Sequence, residues 1–130
     1  MANIMEFVRG DGANHTFAMP ASSFSAGGHL FFAAKTAPDD DNTDALAFIL
    51  GDWTDSSVID VVVAGIAYKK WACHFPPAAT NSIVSNGAGS LELLGEFEFV
   101  PLAGDPITFP PTDDKIPVVV YFDLKRKTVV

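Results

Sequence analysis

The chain has 130 residues, a formal net charge of −8 and one cysteine. This length predicts a single domain spanning residues 1–130, large enough to bury one hydrophobic core. One cysteine excludes an intrachain disulfide, and the sequence has no run of about 18 apolar residues that would predict a membrane span. The first twenty residues lack the apolar segment of a secretory signal, so we expect synthesis in a cytoplasm, with the chain either staying there or entering a particle assembled there.

The basic residues are unevenly distributed along the chain. Three of the eight are Lys125, Arg126 and Lys127, so the rest of the chain is strongly acidic. An acidic body argues against a nucleic-acid partner, which requires a basic face. The basic tail is either a solvated strand end or a segment that contacts an acidic neighbour, and the second interpretation makes it a candidate assembly interface.

Eight or nine short segments have the apolar alternation or the β-branched composition of strands. Glycine, proline and Asx residues separate them at regular intervals. The predicted strands are 4–8, 15–19, 29–35, 45–50, 58–64, 66–75, 91–100, 107–109 and 116–130. Residues 51–57 are predicted to be a loop, and residues 78–85 at most one short helical turn with Thr80 as a candidate cap.

This element pattern predicts an all-β fold, an antiparallel immunoglobulin-like β-sandwich of about eight strands. The 11 phenylalanines suit a thin core between two sheets, and alternation predicts that Phe97 and Phe99 point into it. Ala64-Gly65 predicts a tight hairpin between the two strands that flank it. Because the chain begins and ends on strands, segment 4–8 is expected to lie beside segment 118–124.

The first strand ends at a glycine break. Gly10 permits a sharp bend, and its neighbours Arg9 and Asp11 are placed to pair across the bend or to bond nearby backbone groups. Arg9, Gly10 and Asp11 are therefore predicted to form a structural corner.

The three histidines, His15, His29 and His74, fall on three different predicted strands. None has a histidine partner at the spacing of a metal-binding pair, so no zinc site is predicted. They are interpreted as surface or core-edge residues.

An acidic loop precedes the fourth predicted strand. Asp39, Asp41 and Thr43 offer oxygen atoms at every second position, as the start of a calcium-binding loop does. The glycine that such a loop needs at its sixth position is Asp44, and the glutamate at its twelfth is Leu50. A solvated acidic loop is therefore favoured, and calcium binding stays as the alternative.

The sequence contains neither a nucleophile elbow nor a phosphate-binding glycine loop. Cys73 lies in an apolar run and is interpreted as a buried, inert thiol. Trp53, Tyr68 and Trp71 are either core aromatics or a platform on which a sugar stacks. These features favour a non-enzymatic structural or binding protein without a cofactor.

Several short motifs follow one another along the chain. An opening strand leads into Arg9-Gly10-Asp11, then come a Phe-centred strand, a glycine-rich turn into an apolar strand, a strand that begins with glycine and alternates with aromatics, and a closing strand. These segments are 7–11, 15–19, 28–35, 94–99 and 118–127. Their order resembles the small immunoglobulin-like domains of tailed-phage tails and baseplates. The chain departs from that order at the inserted Gly12-Ala13 and at the proline-rich segment 101–117.

The resemblance implies a virion structural protein without catalysis, present in many symmetric copies. Its implied partners are copies of itself and other virion proteins, with no nucleic acid and no membrane. A capsid decoration protein, which cements the shell, is the first alternative. The second is of another class, a carbohydrate-binding β-sandwich that uses Trp53, Tyr68 and Trp71.

Overall fold

The computed structural model describes residues 4–36, 48–81, 83, 89–111 and 115–122. Nine strands lie in this part of the chain. They are β1 (Met5–Val8), β2 (Ala13–Pro20), β3 (His29–Lys35), β4 (Phe48–Thr54), β5 (Val58–Val63), β6 (Ile66–Phe75), β7 (Ser90–Val100), β8 (Ile107–Phe109) and β9 (Ile116–Tyr121). The described residues also include one short helix, α1 (Ala78–Asn81), and 3₁₀ turns at Ala21–Ser23 and Asp55–Ser57.

The strands form two sheets of unequal size. The larger has the order β1-β9-β7-β3-β4, with β8 pairing β7 beyond the end of β9, and the smaller has the order β2-β6-β5. The sheets face each other across an aromatic layer, in which the rings of Phe17 from the small sheet and Phe97 from the large sheet stack with centroids 4.4 Å apart. The prediction of an all-β fold is confirmed, and the arrangement is sandwich-like.

The first and last described strands are neighbours, as the sequence predicted. Met5 pairs with Val118, and the register continues to Val8 opposite Tyr121. The pair is parallel, so the prediction of a wholly antiparallel arrangement is wrong here. The ladder continues into the corner, where the backbone N–H of Arg9 donates to the carbonyl of Tyr121 over 2.9 Å. Strands β1 and β9 therefore end at the same side of the large sheet, and the corner after β1 leads the chain to β2 in the small sheet.

Side-chain alternation sorts the residues of each strand between core and surface. Phe97 is 2 % exposed and Phe99 is fully buried, as predicted, while Glu96 and Glu98, which alternate with them, lie half-buried on the outer face. Phe7, Phe32 and Phe75 join them in the core, with Phe75 edge-on to both other rings at centroid distances of 5.0 and 5.4 Å. Edge-to-face geometry of this kind is favourable beyond the area buried.

Close packing explains the glycine in the middle of β7. A Cβ on Gly95 would lie 2.9 Å from Cζ of Phe32 and 3.0 Å from Cγ2 of Val118. Both neighbours are core side chains, so any larger residue would have to displace them.

Several strand ends differ from the prediction by one or two residues, and two elements differ more. The fourth strand continues through residues 51–54, which were predicted to be loop. It continues because Trp53 packs inward against Phe75, with ring centroids 5.0 Å apart. The predicted helical turn is the four-residue α1, and Thr80 is not its cap but a buried residue within it. Residues 123–130, predicted to extend the last strand, lie outside the described residues.

Replacing Phe97 by alanine should lower the free energy of unfolding by about 3–5 kcal/mol, because a buried ring is removed and a cavity remains. Chemical denaturation measures the change. Phe31→Ala is the matched control, since Phe31 is 38 % exposed on the outer face of the same sheet and should cost much less. Equal losses in the two variants would contradict the assigned faces.

Candidate functional site

Two of the predicted sites lie outside the described residues. They are the calcium candidate formed by Asp39, Asp41 and Thr43, and the basic tail formed by Lys125, Arg126 and Lys127. Both stay predictions from the sequence.

The histidines lie apart, each with its own partner. Nε2 of His15 is 3.1 Å from the carbonyl oxygen of Glu6, and Nδ1 of His74 is 2.8 Å from Oδ1 of Asn14. Nδ1 of His29 lies 3.2 Å from Oδ1 of Asp52 on the surface. Within the described ranges, no group of three or more His, Cys, Asp or Glu side chains is placed to hold a metal ion.

Arg9, Gly10 and Asp11 form a tight corner against the segment around α1. Gly10 has φ 81°, a left-handed conformation that favours glycine, and its N–H donates to Oγ1 of Thr80 over 2.8 Å. Nη1 of Arg9 donates to the carbonyl of Ile83 over 3.1 Å. These contacts agree with a structural role. The sequence did not reveal the partners, because they lie 70 and 74 positions further along the chain.

The three aromatic residues proposed as a sugar platform lie in different environments. Trp71 is fully buried, and its indole N–H donates to the carbonyl of Thr54 over 3.2 Å, so it offers no face to a ligand. Trp53 is half-buried in β4 of the large sheet. Its indole N–H donates to the carbonyl of His74 in the small sheet over 3.3 Å. Tyr68 is half-buried on the small sheet. The structure therefore does not bring these rings together.

Cys73 is fully buried, as predicted. Burial raises the pKa of its thiol from 9.0 to about 12, because the core disfavours the charged thiolate. The thiol is consequently protonated at neutral pH and is a poor nucleophile.

The most exposed apolar surface in a described strand pair is the hairpin of β5 and β6. Its turn is Ala64-Gly65, as predicted, with φ values of 52° and 80°. Strand β2 covers the edge of β6 only as far as the pair Pro20 and Tyr68, so the hairpin tip, residues 62–67, projects past the end of β2.

Both faces of this projecting hairpin carry exposed β-branched side chains. Val62 is 69 % exposed, Ile59 59 %, Val63 57 % and Ile66 54 %. Side chains this exposed leave apolar surface area in contact with water, and contact with a partner would remove that area from water. A contiguous apolar patch on a soluble protein often marks an interaction site.

A shallow depression lies on the outer face of the small sheet at the base of the hairpin tip. It has a volume of about 270 Å³ and is lined by Ala18, Val61, Val63, Tyr68 and Lys70. Its walls are mostly aliphatic or aromatic, so it extends the apolar surface of the hairpin.

A second depression lies on the outer face of the large sheet, with a volume of about 530 Å³. Phe31 and Leu50 contribute apolar surface, but Asp52, Glu96 and Glu98 make its rim acidic. Nζ of Lys115 lies 2.9 Å from Glu96, which neutralises one of these charges. This depression is larger but more polar than the one beside the hairpin.

The sequence did not predict that the hairpin would be exposed. Residues 61–63 are three consecutive valines, and a strand that is apolar on both faces is typical of a buried position. One feature of the sequence did indicate that the hairpin would be exposed, namely Pro20 at the end of β2. Proline has no backbone N–H, so it cannot continue the β2–β6 ladder toward the hairpin tip.

No protein-family model matches the sequence, and no curated protein matches it either. No helix in the described part of the chain combines the length and the apolar character needed to cross a bilayer.

Thr80→Val should lower the free energy of unfolding by about 1–3 kcal/mol, because the N–H of Gly10 loses its acceptor while the side-chain shape is kept. Thr16→Val, at an exposed position of β2, is the control and should change stability by less than about 0.5 kcal/mol. Thermal or chemical denaturation measures both. A loss no larger than that of the control would mean that this hydrogen bond does not hold the corner.

The Cys73 thiol should react with a thiol reagent at pH 8 only as fast as the protein unfolds, because the folded protein buries it.

Burial of Cys73 should also make stability depend on pH. Because the folded state holds the thiol proton more tightly than the unfolded state, the contribution of this group to the free energy of unfolding is complete below about pH 9 and is lost as the pH rises toward about 12. Free energies of unfolding measured across this range should fall more steeply for the parent than for Cys73→Ala. Rapid labelling of the folded protein would contradict the burial.

Proposed function

We propose that this protein is a non-enzymatic structural component of a virion, a bacteriophage tail or baseplate protein that acts in assembly through protein–protein contacts. In this proposal it is made in the host cytoplasm and has an immunoglobulin-like β-sandwich fold. The observation that carries the proposal is the projecting β5–β6 hairpin, whose exposed side chains are almost all aliphatic.

The hairpin suits assembly for energetic reasons. Full burial of a valine or isoleucine side chain contributes roughly 1.5–3 kcal/mol. Val62, Val63 and Ile66 are β-branched and held on a paired strand, so ordering them on contact costs little rotamer entropy. A surface of this kind can bind a partner without rearrangement.

The resemblance to tail and baseplate domains supports the virion assignment through the positions of its motifs. Arg9-Gly10-Asp11 lies at the corner between the two sheets, and residues 94–99 belong to the central strand β7. Residues 118–121 belong to β9, beside the first strand.

The assignment is tested by following the chain through purification of phage from its native source. An antibody against the chain should detect it in the virion band of a density gradient, and immunogold label should lie at the tail end of the particles. Label on the head would identify shell decoration instead. Recovery only among free proteins would contradict a structural role in the particle.

A paired variant tests whether the hairpin is the assembly surface. Ile59→Ser combined with Val63→Ser removes apolar area from the hairpin and should deplete the chain from the virion band at least tenfold. Leu102→Ser is the control, because Leu102 is 80 % exposed on the loop between β7 and β8, outside the β5–β6 hairpin, and should leave incorporation unchanged. Normal incorporation of the double variant would assign assembly to another surface.

A further inference from the structure

The outer edge of β5 presents free backbone groups in a predictable order. In a hairpin with a two-residue turn, the two residues that flank the turn exchange both backbone hydrogen bonds, and every second pair along the ladder does the same. Val63 is paired with Ile66, so Val63, Val61 and Ile59 bond to β6. The N–H and C=O groups of Asp60 and Val62 therefore point away from the sheet, whereas the N–H of Val58 already donates to the carbonyl of Asp55.

Within the described residues no strand pairs with this edge, and it lacks the features that usually protect one. It has no proline, and its one charged residue, Asp60, already contacts Nζ of Lys69 over 2.6 Å. The other four edges of the described sheets differ. Strands β1 and β8 have only four and three residues. Strand β2 ends at Pro20 and has the ring of His15 bonded to β1, and β4 contains Gly51-Asp52 and packs against α1.

We propose that β5 pairs antiparallel with β5 of a second copy of this chain, about a two-fold axis at Val61. The two small sheets then join into one six-stranded sheet with the order β2-β6-β5-β5-β6-β2. This inference rests on the proposed assembly function and names the partner of the hairpin surface.

The side chains of β5 select the register of this pairing. With the axis at Val61, Val61 lies opposite its own copy, Ile59 lies opposite Val63, and Asp60 lies opposite Val62. The outer face then carries an uninterrupted aliphatic stripe across both copies, and aliphatic cross-strand pairs of this kind are favourable. Moving the axis to Asp60 would place two carboxylates directly opposite each other, which is unfavourable.

The pairing also satisfies backbone groups of β5 that point away from every strand in the described part of the chain. Asp60 of each copy faces Val62 of the other, and these are the residues whose N–H and C=O groups point outward, so each of the two pairs exchanges two hydrogen bonds. Backbone bonds supply affinity in strand addition, while the side chains supply specificity. A flat two-fold edge contact closes on itself and limits the assembly unit to a dimer.

Cysteine cross-linking of the purified full chain tests the register. Val61→Cys should form a disulfide-linked dimer under mild oxidation, because the two-fold axis brings equivalent Cα atoms within disulfide range. Cys73 does not interfere, since it is buried and protonated. Val63→Cys alone should not cross-link, because equivalent positions then lie about 13 Å apart along the strands. Mixing Val63→Cys with Ile59→Cys should restore the cross-link.

A proline variant tests the backbone contact separately. The N–H of Val62 points away from β6, so Val62→Pro removes a donor of the free edge and leaves the β5–β6 ladder intact. We expect at least a tenfold weaker dimer by sedimentation equilibrium, with the far-ultraviolet circular dichroism of the parent.

The outcomes separate this inference from the proposed function. Cross-linking of Val61→Cys but not of Val63→Cys supports the pairing. Equal cross-linking of both variants, a dimer unaffected by Val62→Pro, or a strict monomer at high concentration overturns it. If the pairing is overturned but the chain still follows the virion band, the assembly function stands with another partner on the hairpin.

Discussion

The aromatic layer between two sheets of unequal size is the constraint on which the rest of the structure depends. Rings from both sheets interlock there: Phe17 stacks on Phe97, while Phe75 lies edge-on to Phe32. Because each large ring spans much of the gap, a three-stranded sheet suffices to cover the central strands of a larger one. The small sheet packs on this layer through the C-terminal half of β6, where Trp71 and Phe75 are buried. The N-terminal end of β6 extends past β2 and forms the projecting hairpin with β5.

The corner at the end of β1 fixes how the two sheets are connected. Gly10 and Arg9 bond to Thr80 and Ile83, and β1 itself pairs with β9. These contacts join the beginning, the middle and the end of the described chain at one place. The first and last described strands thereby belong to the large sheet, while the hairpin lies at one end of the small sheet. The corner contacts therefore act on stability, while the proposed assembly surface is the hairpin.

Much of the fold was predictable because side-chain alternation and turn residues act locally. The inward faces of Phe97 and Phe99 and the turn at Ala64-Gly65 follow from residues within a few positions of each other. The direction of the β1–β9 pair was not predictable, because alternation is the same in parallel and antiparallel strands. The exposure of Val62 and Val63 was also missed, since it depends on how far a different strand extends along β6. Non-local geometry of this kind leaves little trace in a single sequence.

Residue-resolved hydrogen exchange along β5 tests the central claim, that this edge is the assembly surface, most directly. The amides of Ile59, Val61 and Val63 should be protected at every protein concentration, because they bond to β6. The amides of Asp60 and Val62 should exchange quickly in dilute solution and become protected as the concentration rises. If the amides of Asp60 and Val62 exchange quickly at all concentrations, the edge stays open to water and the claim is contradicted.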